Sequence, residues 1–410
     1  MKRLLIFSLL LVSVLCVKAQ CFDDYFEDRT LRLDYSFAGD ETLTLISVDE
    51  LVSIPRWYGK RHHLSEVPLK GNGQIIVRKH HQEEVIYRHS FSTLYQEWLA
   101  TEEAKQTQKA FENVFLVPFP KDTVDITVEL YDNHQITKSQ MTHTVTPSDI
   151  LIRKAGERNL TPYQVLHQAG DTSQCIRIAF VAEGYTVNEM DDYLDDCKKA
   201  IGSLFNHEPF RSMQDRFNII AAMSVSQESG TSEPKKGVWK NTVLSSHFDT
   251  FYSDRYLTTL HLKRLHDVLA GLPYEHVIVL VNTDHYGGGG IYNSYNLSYT
   301  GGRHFLPVVV HEFGHSFGGL GDEYAYGDDD PMYFADTEPW EPNLTTKCDF
   351  SKKWGSLVEE GKAGLIEGGG YLEHGVWRGF ENCRMRTNEE PEFCLVCQQA
   401  LIRLIDFYTK

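Results

Sequence analysis

Two histidines four residues apart with a glutamate after the first, His311-Glu312-x-x-His315, are the residues of this 410-residue chain best placed to do chemistry. On a helix, positions four apart stack on one face. Both imidazoles can then bind one Zn²⁺, and Glu312 beside them can take a proton from a water. A catalytic zinc needs a third protein ligand and one position left open, so the chain must turn back toward the metal soon after His315. Gly318-Gly319 allows that stop, because glycine tolerates the left-handed conformation of a helix C-cap. The competing reading is a buried helix whose two histidines are satisfied by neighbours.

The elements that must position this stretch can be read around it. Phe305-Leu306-Pro307-Val308-Val309-Val310 leads in, with Pro307 suited to a first helical turn and three valines keeping one end dry. Ahead of it, Tyr286-Gly287-Gly288-Gly289-Gly290-Ile291-Tyr292 reads as an edge strand with a groove alongside, where a peptide could add through main-chain hydrogen bonds. Further back, Ile176–Ala182, Phe217–Met223 and His276–Asn282 are apolar runs of strand length. They alternate with amphipathic helices over Met190–Phe205 and Leu257–Leu269, which implies an α/β sheet layered against helices. A Ser-, Gly- and Lys-rich loop runs to about Thr242, and a helical stretch is expected near Thr161–Gln168.

From Cys21 to about Ser148 the pattern differs. Leu31–Phe37, Thr42–Ile46, Gln74–Val77, Glu84–Arg88 and Thr123–Leu130 alternate apolar and polar residues, as strands of an antiparallel sandwich do. One helical interruption is expected over Leu94–Ala110. His62-His63 and His80-His81, read as strand residues, point to opposite faces and cannot chelate together. This region is an accessory domain for positioning or recognition, a candidate for binding a surface glycan or protein.

The chain carries 57 acidic against 40 basic residues, a formal net charge of −17. So acidic a surface argues against nucleic acid and anionic membranes as partners. Residues 1–19 have the form of a secretory leader: Lys2 and Arg3, an apolar Leu4–Cys16, and Val17-Lys18-Ala19 before Gln20. Losing that leader with its three cations takes the charge to −20. Cys16 and Cys21 sit in poor lipid-attachment contexts, and no stretch is long and apolar enough for a permanent membrane span. The protein is expected to be exported: periplasmic, cell-surface or extracellular.

Seven cysteines follow the leader, four of them in the last fifth of the chain, where disulfides would staple the structure. Cys394-Leu395-Val396-Cys397 has CxxC spacing, but a second zinc site lacks an obvious matching pair. The pair is read as structural. Asp328-Asp329-Asp330 offers oxygen ligands for Ca²⁺ without the spacing of an EF-hand, so a solvated loop is the simpler reading. Asn159, Asn296 and Asn343 lie in Asn-x-Ser/Thr acceptors.

HEFGHSFGGLGDEY resembles the metzincin pattern HExxHxxGxxH/D, with Gly318 three residues after the second histidine. The usual third-ligand position falls on Gly321, which has no side chain to offer. Asp322 follows, as if one residue had been added to the turn, and is the favoured third ligand. Glu323, with longer reach, is its competitor. VAEGYT (Val181–Thr186), GGGGIYNSYN and CRMRT…FCLVC extend the likeness. Together they resemble the bacterial IgA-peptidase family of secreted zinc metallopeptidases over roughly Thr172–Lys410, and the β region resembles the N-terminal domain that often accompanies it.

The resemblance implies peptide-bond hydrolysis by zinc, with His311 and His315 as ligands and Glu312 as base. Met385 resembles the Met-turn that floors such sites. No Tyr follows it at the offset of a transition-state donor, which leaves Tyr324, the Tyr286–Tyr292 stretch and the metal as candidates. The expected architecture is α+β. A β-sandwich over 20–150 precedes a zincin-like α/β domain over 151–410, with a mixed sheet and an active-site helix. The expected substrate is a protein or peptide, with immunoglobulin-like, other host or surface proteins as candidates. Two alternatives stand beside it: a zinc hydrolase of non-peptide amides, and an inert binding protein on a peptidase scaffold.

Overall fold

The computed structural model describes residues 20–170, 174–327 and 332–410. The leader over 1–19 and the Asp328-Asp329-Asp330 run lie outside them. About 21% of the described residues are helix and 34% strand, an α+β fold with several sheets and, among those residues, no barrel.

After a single helical turn, α1 (Phe22–Tyr25), the first part is built from β1 (Phe26–Gly39), β2 (Thr44–Pro55), β3 (Gly73–Lys79) and β4 (Val85–Phe91). It continues with α2 (Leu94–Trp98), β5 (Lys109–Pro120), β6 (Val124–Tyr131) and β7 (Thr137–Val145), and a two-residue β8 (Arg153–Lys154) follows. Two four-stranded sheets result, ordered β5-β1-β2-β8 and β4-β3-β6-β7. Leu31, Leu33, Tyr35 and Phe37 alternate along β1 and are fully buried. That spacing of two is what places them on one face of the sheet. The helix expected over Leu94–Ala110 is shorter than read. α2 is capped by the Thr93 side chain and ends at Trp98, and residues from Lys109 onward pair with β1.

The second part centres on a six-stranded sheet. Its strands are β9 (Tyr163–Gln168), β10 (Ile176–Glu183), β11 (Phe217–Ala222), β12 (His276–Val281), β13 (Gly288–Ile291) and β14 (Tyr295–Tyr299), in the order β13-β14-β12-β10-β11-β9. The four inner strands run parallel, while β13 and β9 pair antiparallel at the two edges. All eight residues of β10 are buried, as a parallel strand covered on both faces requires. The helix expected near Thr161–Gln168 is instead β9. Pairing with Asn218–Ala222 of β11 satisfies its backbone, an outcome local periodicity does not register.

Helices α3 (Met190–Leu204), α5 (Phe305–Ser316) and α7 (Leu395–Thr409) cover one face of this sheet, meeting Ile178 and Phe180. The other face meets the sandwich. A single apolar cluster runs from Phe37, Trp98 and Phe115 through Leu265 of α4 (Leu262–Val268) to Val181, Val279 and Leu297. The buried Arg32 bridges Asp34 and Asp267 of α4 across the same junction. A short α6 (Gly355–Glu359) and a small sheet complete the chain. That sheet comprises β15 (Ala325–Gly327), β16 (Leu344–Thr345), β17 (Ile366–Gly369) and β18 (Tyr371–Arg378).

α4 starts five residues later than the sequence pattern suggests. The residues before it run extended along β13, where Leu257 N–H donates to the Gly288 carbonyl and Gly288 N–H to that of Arg255. The chain's own segment thus occupies part of the sheet edge assigned to an incoming peptide.

A shared core makes the sandwich one fold with the six-stranded sheet rather than a tethered module. A fragment of residues 151–410 should expose one whole apolar face of the central sheet and aggregate, or lose near-UV circular dichroism, beside the full chain. A monomeric fragment that melts cooperatively would overturn this reading.

Candidate metal centre

Helix α5 places His311 and His315 one turn apart, and the chain leaves it through Gly319 in the left-handed region (φ +58°). Gly319 N–H donates to the His315 carbonyl at 2.9 Å and Leu320 N–H to that of Gly314 at 3.1 Å, a glycine C-cap. The turn brings the Leu320 carbonyl back to accept from His315 Nδ1 at 2.6 Å, while the Arg384 carbonyl accepts from His311 Nδ1 at 3.0 Å. A carbonyl oxygen only accepts, so each Nδ1 carries a proton, and in the neutral imidazole a cation requires, each Nε2 presents its lone pair.

Those two lone pairs converge. The Nε2 atoms are 3.0 Å apart, and Asp322 Oδ1 lies 3.0 Å from His311 Nε2 and 3.2 Å from His315 Nε2. Asp322 Oδ1 is buried without a hydrogen-bond donor. Ligands about 2.0–2.2 Å from a tetrahedral ion are about 3.4 Å from one another. The trio therefore fits a divalent cation with a fourth position to spare. Burial opposes charge on His315, but Asp322 and Glu312 outweigh it and push its pKa up to about 9. Burial alone would raise the Asp322 carboxyl, yet the two imidazoles hold it well below the usual carboxylate range. The Asp322 carboxylate and the His315 imidazole thus stabilise each other's charged forms.

Close packing sets the position of Glu312. A Cβ on Gly288 would come within 2.6 Å of its Oε1, and one on Gly290 within 2.6 Å of its backbone carbonyl. The glycines of β13 let α5 lie directly on the strand. Burial pushes the Glu312 carboxyl up, while His311 and His315 pull it back. On the opposite side, a Cβ on Gly314 would meet the sulfur of fully buried Met385 at 2.6 Å. The thioether floors the helix between the two histidines.

Asp322 is held by groups that motif reading missed. Tyr371 Oη donates to its Oδ2. Tyr371 adopts a left-handed backbone (φ +70°) after Gly368-Gly369-Gly370, and Gly370 N–H donates to the Asp322 carbonyl at 2.7 Å. Burial of the hydroxyl and the adjacent Asp322 push the phenol well above its ordinary value, so it remains a donor. Asn343 brackets Gly321 through both its N–H and its carbonyl and also donates to Glu323. The sandwich contributes Glu97, which accepts from Tyr256 Oη; burial pushes its pKa up to about 7, against that hydroxyl and nearby His315. The glycine run before Tyr371 was a usable signal. Nothing local marks Glu97 or Tyr256.

Glu323 does not join the histidines. Its carboxylate faces away, toward Cys383, Cys394 and Cys397, which stand as thiols with Cys348 rather than in the disulfides expected of the C-terminal part. The residues that stand beside the CxxC pair are therefore Glu323 and Cys383. His80 and His81 also depart from their reading. They follow β3 in a turn where His81 takes φ +56°, so the rings lie 3.6 Å apart beside Asp125 instead of on opposite faces of a strand. Asn296 and Asn343 are fully buried, and only Asn159 is an exposed glycosylation acceptor.

Two family models match the chain: IgA Peptidase M64 over residues 165–365 and Peptidase M64 N-terminus over residues 21–142. The chain belongs to the IgA peptidase M64 family. It is a peptidase, a hydrolase whose substrate is a protein or peptide. No curated protein matches the chain. Among the described residues no helix is long and apolar enough to cross a membrane.

Tyr371→Phe removes one donor to a carboxylate facing the cation position. Removing such a partner typically costs about 10–100-fold in metal affinity. Competition with a chromophoric chelator should show a loss of that size in the full chain, with an unchanged far-UV spectrum. Unaltered affinity would show that the Tyr371 contact does not tune the site.

Proposed function

We propose that this protein is an exported, zinc-dependent endopeptidase, with His311, His315 and Asp322 as ligands and Glu312 as general base and acid. The observation that carries the reading is the convergence of two Nε2 lone pairs and an unsatisfied carboxylate oxygen within 3.2 Å, with Glu312 on the same helix turn. Zinc held there would polarise the scissile carbonyl and lower the pKa of a water toward about 7.

The chain's own groups do the rest. The Leu320 and Arg384 carbonyls fix the tautomers of the two imidazoles. Tyr371 holds the Asp322 carboxylate by its outer oxygen. Glu312, pressed between α5 and β13, accepts the water proton and delivers it to the leaving nitrogen. Alternation along β13 turns the backbone of Gly290 outward like that of Gly288. Substrate backbone is proposed to align beside Gly290, past the Arg255–Leu257 segment. Tyr256, hydrogen-bonded to Glu97, would form one wall of that groove. The leader pattern at Lys2-Arg3 and Leu4–Cys16 supports export.

Glu312→Gln should keep zinc and fold but lose at least about two to three orders of magnitude in rate on peptides blocked at both ends. A peptide library analysed by mass spectrometry reads both the rate and the cleaved bonds, and internal cleavage is expected. Normal proteolysis by Glu312→Gln would sink the mechanism, and trimming of unblocked ends alone would sink the endopeptidase assignment. Sequencing the secreted protein should find Gln20 at its start.

A further inference from the structure

The residue after Asp322 opens onto a second cluster that the peptidase reading does not use. Glu323, Cys383, Cys394 and Cys397 are all buried, and one ligand atom from each lies within 4.8 Å of all the others. Cys383 Sγ and Cys397 Sγ are 3.7 Å apart, while Glu323 Oε1 lies 3.2 Å from Cys397 Sγ and 4.0 Å from Cys394 Sγ. Ligands around tetrahedral zinc, with Zn–S about 2.3 Å and Zn–O about 2.0–2.2 Å, are separated by about 3.8 Å for S···S and about 3.6 Å for S···O. The S···S spacing matches an edge of such a tetrahedron, and the two S···O spacings bracket one.

We infer that Glu323, Cys383, Cys394 and Cys397 form a closed, structural Zn²⁺ site, separate from the histidine site. Three features support the assignment beyond spacing. Glu323 Oε2 is buried with no hydrogen-bond partner although Oε1 accepts from Asn343 Nδ2, and a buried carboxylate with an unmatched oxygen is stabilised by a cation. Cys394 occupies the N-cap position of the fifteen-residue helix α7 and Cys397 lies in its first turn, where unsatisfied N–H groups favour thiolates. Cys394 N–H donates to Cys383 Sγ at 3.2 Å, a bond that steadies a metal-bound sulfur. A disulfide between Cys383 and Cys397 would leave Cys394 and the Glu323 carboxylate stranded, whereas a cation employs all four groups.

Three thiolates and a carboxylate suit zinc among the common divalent ions, and binding releases to solvent the protons that the thiols and the carboxyl hold. With four protein ligands no position is open for substrate, so the ion's work is mechanical. It joins the loop carrying Asp322, the turn carrying Met385 and the start of α7. Glu323 N–H already donates to the Met385 carbonyl at 2.9 Å. The clasp thereby sets where Asp322 can stand.

The test uses the full chain, expressed with zinc and purified under mild reductant without chelator. Elemental analysis should find two zinc ions per chain in the wild type and one in His311→Ala/His315→Ala. After exchange with Co²⁺, both proteins should show an intense thiolate-to-cobalt absorption in the near ultraviolet, a band the sulfur-free histidine site cannot give. Cys394→Ser/Cys397→Ser should lose that band and one zinc; where this variant does not fold, the wild-type and double-histidine spectra decide alone. A wild type without the thiolate band overturns the proposal, as does a mass spectrum showing a disulfide among these cysteines. Failure of the histidine site would appear separately, as one zinc with the band present.

Discussion

Two imidazole lone pairs and a carboxylate oxygen cannot sit within 3.2 Å of one another in a protein interior unless positive charge lies among them. A buried polar group left unmatched costs about 1–3 kcal/mol, and more if charged. The surroundings hold that arrangement together from outside. The Leu320 and Arg384 carbonyls remove the choice of tautomer, Tyr371 occupies the outer carboxylate oxygen, and Met385 seals the floor. The two Nε2 atoms and Asp322 Oδ1 are aimed at one point before any ion arrives. A site assembled this way loses little conformational freedom on binding, which favours tight capture.

The segment from Leu320 to Tyr324 carries most of that work, and each residue has a separate attachment. The carbonyl of Leu320 takes His315, Gly321 is bracketed by Asn343, Asp322 faces the histidines and Glu323 faces the cysteines. Tyr324 accepts the Tyr371 N–H. A Cβ at Gly321 would strike Leu344 at 2.5 Å, so even the residue without a side chain is fixed in place. Slipping the segment by one residue would exchange Asp322 for Glu323 and break every one of these bonds together. That is why adjacent acids, alike in charge, are not interchangeable here.

The parts of this site legible in the sequence are those with periodicity behind them. His311 and His315 were placed together by helical spacing, the parallel strands by unbroken apolar runs, and the end of α5 by its glycines. Sequence preferred Asp322 over Glu323 for the turn after the helix, and the structure sets Asp322 beside the histidines. What escaped has long-range causes. Tyr163–Gln168 is a strand because β11 offers it an edge, and Leu257 extends because Gly288 offers it a partner. Tyr371, Cys383 and Glu97 reach the two clusters from 49 residues after Asp322, 60 after Glu323 and more than 200 before His311. Spacing rules do not span such distances.

The contribution of the sandwich follows from the same glycines. Gly288 and Gly290 let α5 approach β13, while Gly287 and Gly289 leave room for Arg255, Phe248 and Tyr256, yet each of the four costs about 0.5–1 kcal/mol in backbone entropy relative to alanine. An edge strand with that composition would not hold its shape alone. The brace comes from outside the catalytic sheet. Ser92 N–H donates to the Tyr292 carbonyl at 3.0 Å, Asn293 Nδ2 to the Ser90 carbonyl at 2.8 Å, and Tyr256 packs on Gly289 while bonding Glu97. Residues 90–97 of the sandwich thus fasten both the hairpin turn and the segment lying along its edge. The closeness that positions Glu312 requires glycine, and glycine requires support from the N-terminal sheets.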